Sequence, residues 1–323
     1  MLQQLGEPVP RDLSEWSLHC YCLGARTNPK SVVALDNNGV ILHQAVEGVT
    51  LEALGERGVS VTESQLQLLE RFRLLERDDR SIRTRFPVLF PDAIGELRDR
   101  VGKTVAPVID GMSTRAKSIE SLLGEQGLSA SLGAVVFGHA LDGELWDVLR
   151  DKGGVPETSP TVEEPNWRGS FWAAYPGRAL SAGTNERRQG PATLVMVWDE
   201  RTVEHLRQFE DDPTIGSALA AIESEETSLP VTGQRAIPVI RRSVSDPVHR
   251  SCRKLAEVVA TAIPSRGDCR QMLSAVGVAA SMSDATVIIA HEVIWESLEA
   301  LHTLGDGESR DEDPFDRLFV RID

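Results

Sequence analysis

The sequence is short of cysteine, of aromatic residues and of positive charge, and it has no long apolar run. Its 323 residues include four cysteines, two tyrosines, six tryptophans and eight phenylalanines. Lys and Arg number 34 against 49 Asp and Glu, a formal charge of −15. That balance excludes a polyanion-binding surface spread over the whole molecule but leaves room for a local basic face. No stretch approaches the ~18 apolar residues of a membrane span, and the longest, at 134–137 and 286–290, suit core segments. Residues 1–8 carry neither a basic start nor an apolar core, so a chain without a secretory signal, in the cytoplasm, is expected. Only Cys20 and Cys22 are close in sequence, and no second Cys/His pair stands at ligand spacing. Four free thiols are therefore expected, with no zinc knuckle. Phosphate-loop glycines, a G-x-S-x-G elbow and EF-hand spacing are all missing, so no local motif announces catalysis or a particular cofactor.

What is present reads as globular. Hydrophobic residues make up 41% and charged residues 26%, close to the average of folded domains. At this length a chain buries roughly three quarters of its unfolded surface without staples. The pattern predicts an α+β fold with a first domain over 1–92 and a larger mixed domain over 93–323. Strands are predicted at 18–23 and 31–35, with Asp36-Asn37-Asn38-Gly39 as a type I′ hairpin turn and 40–42 as the return strand. Thr50 opens a short helix ended by Gly58. Thr62 caps a second helix, with Gln65 at the capping-box position and Leu66, Leu69 and Phe72 on one face. An extended pair follows, turning at Asp78-Asp79 and closing at Phe90-Pro91.

The order helix, helix, short strand, tight turn, strand resembles the second half of a winged helix-turn-helix, over about residues 49–90. The chain departs from that pattern at Arg73, where such folds often place Gly between helix and wing. The strands upstream are more similar to strand-first winged-helix modules that bind peptides in natural-product pathways. The resemblance implies a DNA or peptide partner for this segment.

Beyond residue 92, Ile94, Leu97, Val101, Val105, Val108, Met112, Ile119 and Leu122 recur at helical spacing, interrupted by Pro107. Such a helix either packs into a core or pairs two subunits as a homodimer. A short apolar segment leads into a helix carrying Leu141, Leu145 and Leu149, and 193–198 is an unbroken apolar strand buried on both faces. Asp246-Pro247 starts a helix, Asp284 caps the last long one, and 317–322 forms a terminal strand.

Three groups of residues carry candidate chemistry. Arg71, Arg73, Arg77, Arg80, Arg83 and Arg85 form a basic cluster, interleaved with Glu70, Glu76, Asp78 and Asp79 to a local net of +2. On a helix and wing, Arg71, Arg73, Arg83 and Arg85 would hold phosphates. The plain alternative is a solvated mixed-charge face. The segment 167–188 places Trp167, Phe171, Trp172 and Tyr175 within nine residues, flanked by Arg168, Arg178, Arg187 and Arg188. Read as a loop, Trp167, Arg168, Trp172, Tyr175 and Arg178 would hold a small anionic aromatic ligand. Packing on the core is the alternative. His139 and Asp142, at i and i+3, together with His291 would make an acid–base or metal site if they converged. His249 and Cys252 stand three apart on a helix whose Arg250, Arg253 and Lys254 suggest an exposed basic face.

Two functions follow from these features. The first is a cytoplasmic regulator, with a winged-helix unit on nucleic acid or a peptide and a C-terminal domain that senses a small molecule. The second is an enzyme of specialised metabolism using the aromatic–Arg segment and His139 or His291. A non-catalytic scaffold is a third.

Overall fold

The computed structural model describes residues 8–22, 29–155, 169–179, 181–199, 202–209, 212–222, 226–231, 235–301 and 313–323. The architecture is α+β, with three sheets among the described residues. The chain groups into two compact units. One comprises Met1–Arg100, Pro156–Arg178 and Ser265–Ile289, the other Val101–Val155, Ala179–Pro264 and Ala290–Asp323. The first therefore gathers segments that a single cut after residue 92 separates.

In the first unit, strand Ser17–Cys22 pairs antiparallel with Gly169–Ala174, which in turn runs parallel to Val88–Leu89. The helices Pro29–Val33 and Asn38–Gln44 occupy the stretch expected to be a hairpin. The reason is burial: Asn38, Gly39, Ile41, Leu42 and Ala45 are all buried, which is helical and not alternating spacing. The Asn38 side chain donates to Val32 O at 2.8 Å, and Asp36 takes the positive φ that the turn needs. Strand Val49–Thr50 leads to helix Leu51–Glu56, whose first turn is capped by Thr50 accepting from Ala53 N at 3.1 Å. Helix Glu63–Arg71 opens with the expected capping box: Thr62 Oγ1 accepts from Gln65 N at 3.2 Å, and Gln65 Oε1 from Thr62 N at 2.9 Å. The hairpin Leu75–Arg77 and Ser81–Thr84 follows, and its second strand also pairs with Val49–Thr50. Leu13, Ile41, Leu54, Leu69, Leu74 and Ile82 anchor the shared core. Helix Arg266–Ala275, capped by Ser265, has no counterpart in the sequence reading.

The second unit is built on a five-stranded sheet in the order Ala182–Gln189, Ala192–Asp199, Leu318–Ile322, Ala236–Arg241, Ser228–Pro230. Neighbours are antiparallel except Ala236–Arg241 and Leu318–Ile322, which are parallel. Within the region 230–238, expected to be a connection, Pro230 and residues 236–238 belong to these strands. Ala192–Val197 is buried throughout. Leu194, Met196, Leu318 and Val320 face a cluster with Leu206 of helix Val203–Arg207, Leu219 of helix Pro213–Ala220 and Phe209 from the turn after the first. Val197 and Phe319 point the other way, onto the π-helix Val135–Glu144. Pro107 sits in a 3₁₀ turn that separates the helices Pro91–Val105 and Ile109–Glu125. Helix Pro247–Ala260 starts as expected, with Asp246 accepting from His249 N at 2.9 Å. Helix Met282–Leu301 is capped by Ser281, which accepts from Asp284 N, and not by Asp284 itself.

No helix among the described residues is long and apolar enough to cross a membrane. Cys252 and Cys269 are free and buried, whereas Cys20 is held in a disulfide, so the expectation of four free thiols does not stand.

Candidate functional site

The most unusual local backbone in the second unit is the ten-residue π-helix Val135–Glu144. At its start it lies hard against the sheet: a Cβ on Gly138 would meet Val197 Cγ2 at 2.7 Å and Phe319 Cε1 at 2.9 Å. The wider winding also changes which residues share a face. In an α-helix, 3.6 residues per turn leave positions five apart about 140° from each other. The i→i+5 bonding of a π-helix brings them to one side. His139 and Glu144 are such a pair.

Both are buried, and both meet the first turn of helix Pro247–Ala260. His139 Nε2 and His249 Nδ1 share a hydrogen bond of 3.2 Å, and His249 Nδ1 lies 3.8 Å from Glu144 Oε1. The ligand atoms of all three residues lie within 4.8 Å of one another. Glu144 also accepts from Arg242 Nη2 at 2.9 Å and Arg253 Nη1 at 3.2 Å. Arg242 reaches on to Asp147 and Asp323, and Arg253 to Asp151 at 2.7 Å. A carboxylate that is only 2% exposed thus sits between two guanidinium groups and two imidazoles.

Burial holds His139 well below the usual imidazole range, with His249, Arg242 and Arg321 adding to the shift. His249 is also lowered, first by burial, against the pull of Glu144. Burial thus favours the neutral form of both rings, in which each imidazole has one nitrogen with a lone pair. One turn along the helix, burial pushes the Cys252 thiol far up, with Glu144 and Asp246 adding to it. It is a protonated, unreactive thiol.

The three residues expected to converge have different partners. Asp142 accepts from Thr184 Oγ1 at 2.7 Å and Trp146 Nε1 at 3.4 Å, and burial raises its carboxyl above the ordinary value. His291 Nε2 accepts from Trp295 Nε1 at 3.1 Å, one turn along its own helix. His139 bonds His249, on a face the sequence suggested was basic and exposed. The sequence signal for the true partner was an acid at i+5, which α-helical spacing discards.

The arginines of the first unit lie where the reading of helix and hairpin put them. Arg71 ends helix Glu63–Arg71, Arg73 follows in the turn, and Arg83 and Arg85 alternate with buried Ile82, Thr84 and Phe86. All four are exposed. Arg73 has a left-handed backbone, φ 54°, at the position where Gly was missed. Arg77 is taken up by Glu63, with two contacts of 2.9 Å.

The aromatic segment is not a loop over a concavity. Its described part is the strand Gly169–Ala174, then Tyr175–Ala179, then the strand Ala182–Gln189. Trp172 is 1% exposed and stacks on His19 of the opposite strand at 5.2 Å, while Phe171 packs edge-on against Phe86. Tyr175 lies against Trp16. Arg178 is half-buried, and Arg187 donates to the carbonyls of Phe209 and Asp212. Cross-strand pairing with Ser17–Cys22, far away in sequence, turned these rings inward. Trp167 and Arg168 lie outside the described residues.

No protein-family model, curated protein or solved structure matches this chain.

Proposed function

We propose that the chain is a regulator that contacts nucleic acid through residues 38–85, with the second unit carrying the sensing site. One observation supports the reading: the order Asn38–Gln44, Val49–Thr50, Leu51–Glu56, Glu63–Arg71, hairpin resembles the helix, strand, helix, helix, hairpin order of a winged helix. As that architecture requires, the short strand Val49–Thr50 closes onto the hairpin, with Val49 opposite Ile82. Arg71, Arg73, Arg83 and Arg85 are exposed on the end of the last helix, the turn and the hairpin. Guanidinium groups so placed match phosphate oxygens and release counterions on contact. The acidic balance of the rest of the chain would confine binding to this face.

Fluorescence anisotropy with a mixed-sequence duplex, across a salt series, tests the reading. Wild type binds at low salt with a negative slope of log K against log salt. A quadruple Ala variant of the four arginines weakens binding and reduces the slope by up to about 3.6, from about 0.9 per phosphate contact. No binding by the wild type at low salt, or an unchanged slope in a folded variant, overturns it.

A further inference from the structure

We propose that His139, His249 and Glu144 form a binding site for a divalent transition-metal ion of the zinc type, with a fourth position open to water. The site lies wholly in the second unit and does not depend on whether the first unit binds nucleic acid.

The argument starts from distances. Two nitrogens bound to a tetrahedral ion at about 2.05 Å stand about 3.3 Å apart. His139 Nε2 and His249 Nδ1 are 3.2 Å apart. Glu144 Oε1 is 3.8 Å from His249 Nδ1, and all three ligand atoms lie within 4.8 Å. Side-chain shifts of a few tenths of an ångström would centre an ion among them. The donor set of two imidazoles and one carboxylate suits zinc, nickel or cobalt over calcium or magnesium, which favour all-oxygen shells. The His249 side chain is 13% exposed, so a water ligand would have to enter past its ring.

The main objection is charge, because Arg242 and Arg253 both bond Glu144. Each guanidinium also meets other carboxylates: Asp147 and Asp323 for Arg242, shared with Arg150 and Arg321 respectively, and Asp151 and Glu257 for Arg253. Glu144 is therefore not the sole counterion of either arginine, and the surrounding carboxylates offset part of the guanidinium charge that a dication would meet. A carboxylate oxygen has two lone-pair directions, and Oε1 can accept from Arg242 and still face the ion. The arginines then orient the carboxylate, as partners of metal ligands commonly do.

Without metal, one of the two facing nitrogens carries the proton of the shared hydrogen bond. Binding requires both to be bare, so that proton moves to the other nitrogen of the same ring. Each imidazole stays neutral in this change of tautomer. The π-helix is what makes this donor set possible. It sets His139 and Glu144 on one face, at the cost of regular α-helical bonding over ten residues.

The experiment uses the untagged full chain, stripped with a chelator and titrated with Zn²⁺ and separately with Co²⁺. One equivalent of Zn²⁺ should bind per chain, and Co²⁺ should give the intense visible absorption of a tetrahedral site without a thiolate charge-transfer band. Glu144→Gln and His249→Ala should each weaken Zn²⁺ affinity about 100-fold or more, because even partners of ligands cost about 10- to 100-fold when lost. Circular dichroism confirms that the variants fold. If His249→Ala does not fold, Glu144→Gln alone decides the outcome. No stoichiometric binding by wild type, unchanged affinity in a folded variant, or a thiolate band assigning the ion to cysteine overturns the proposal. Failure of DNA binding leaves it untouched, and failure of metal binding leaves the nucleic-acid reading standing.

Discussion

His139 and Glu144 stand five residues apart, yet the donor atoms of their side chains lie within 4.8 Å of each other. The π-helix is the cause, and it is held in place where Gly138 meets Val197 and Phe319.

Gly138 is therefore the residue on which this arrangement is most exposed to change. Gly138→Ala would place a methyl 2.7 Å from Val197 Cγ2, so either the sheet or the helix must shift. Overpacking of this kind costs about 1–3 kcal/mol. The urea midpoint should fall accordingly. Gly55→Ala is the contrast: a Cβ there meets nothing within 4 Å, and the helix should gain up to about 1 kcal/mol. Equal effects at the two positions would contradict the packing argument.

Arg73 separates stability from function. Its φ of 54° costs an L-residue about 1 kcal/mol and costs glycine almost nothing. Arg73→Gly should raise the stability of the first unit by about that much. If Arg73 contacts phosphate, the same change weakens duplex binding and lowers the salt slope by about 0.9. A variant that is both less stable and equally tight would refute both statements.

What was legible in the sequence was local. The Thr62–Gln65 capping box, the Asp246-Pro247 helix start and the strand through Thr193 each depend on neighbours within a few residues, and each is where it was expected. Asn38-Gly39 misled, because turn propensity was outweighed by the burial of Ile41, Leu42 and Ala45. The aromatic segment misled for another reason. Its strand is fixed by a partner at residues 17–22, and no local pattern records that pairing. The candidate site was half legible. His139 stood out as a polar residue on an apolar segment, but its partner His249 is 110 residues away. Glu144 stands five residues beyond His139, a separation that α-helical spacing places on a different face.

His43 gives the first unit a pH dependence. Its ring is half-buried against Trp16 and Phe90, and Nδ1 has no hydrogen-bond partner among the described residues. Burial lowers it below the ordinary 6.5, Arg11 adds to the shift, and Asp12 opposes it. The unfolded chain therefore takes up the proton first. The stabilisation is complete above pH 6.5 and is lost as the pH falls from 6.5 toward the folded value. Comparing denaturation midpoints across this range, His43→Gln should flatten the slope relative to wild type. An identical slope would mean that other groups set it.

The buried ion pair of the second unit makes the last test. Arg317 Nη2 lies 3.3 Å from Asp199 Oδ2, and the two side chains are 5% and 0% exposed. Asp199 also accepts from Thr202 N at 3.0 Å, so its carboxylate organises the end of the strand Ala192–Asp199. Removing one partner of such a pair takes a counterion from a buried charge, a loss that runs to about 3–5 kcal/mol. Arg317→Met should therefore lower stability by that order. Asp199→Asn should also destabilise, since it leaves the guanidinium buried. The double variant removes both charges at once and should recover much of the loss, because the attraction of a buried pair and its desolvation nearly cancel. A double-mutant cycle by chemical denaturation measures this directly. Strictly additive losses would show that the two side chains act separately, and that Thr202 and the backbone, not Arg317, hold the Asp199 carboxylate in place.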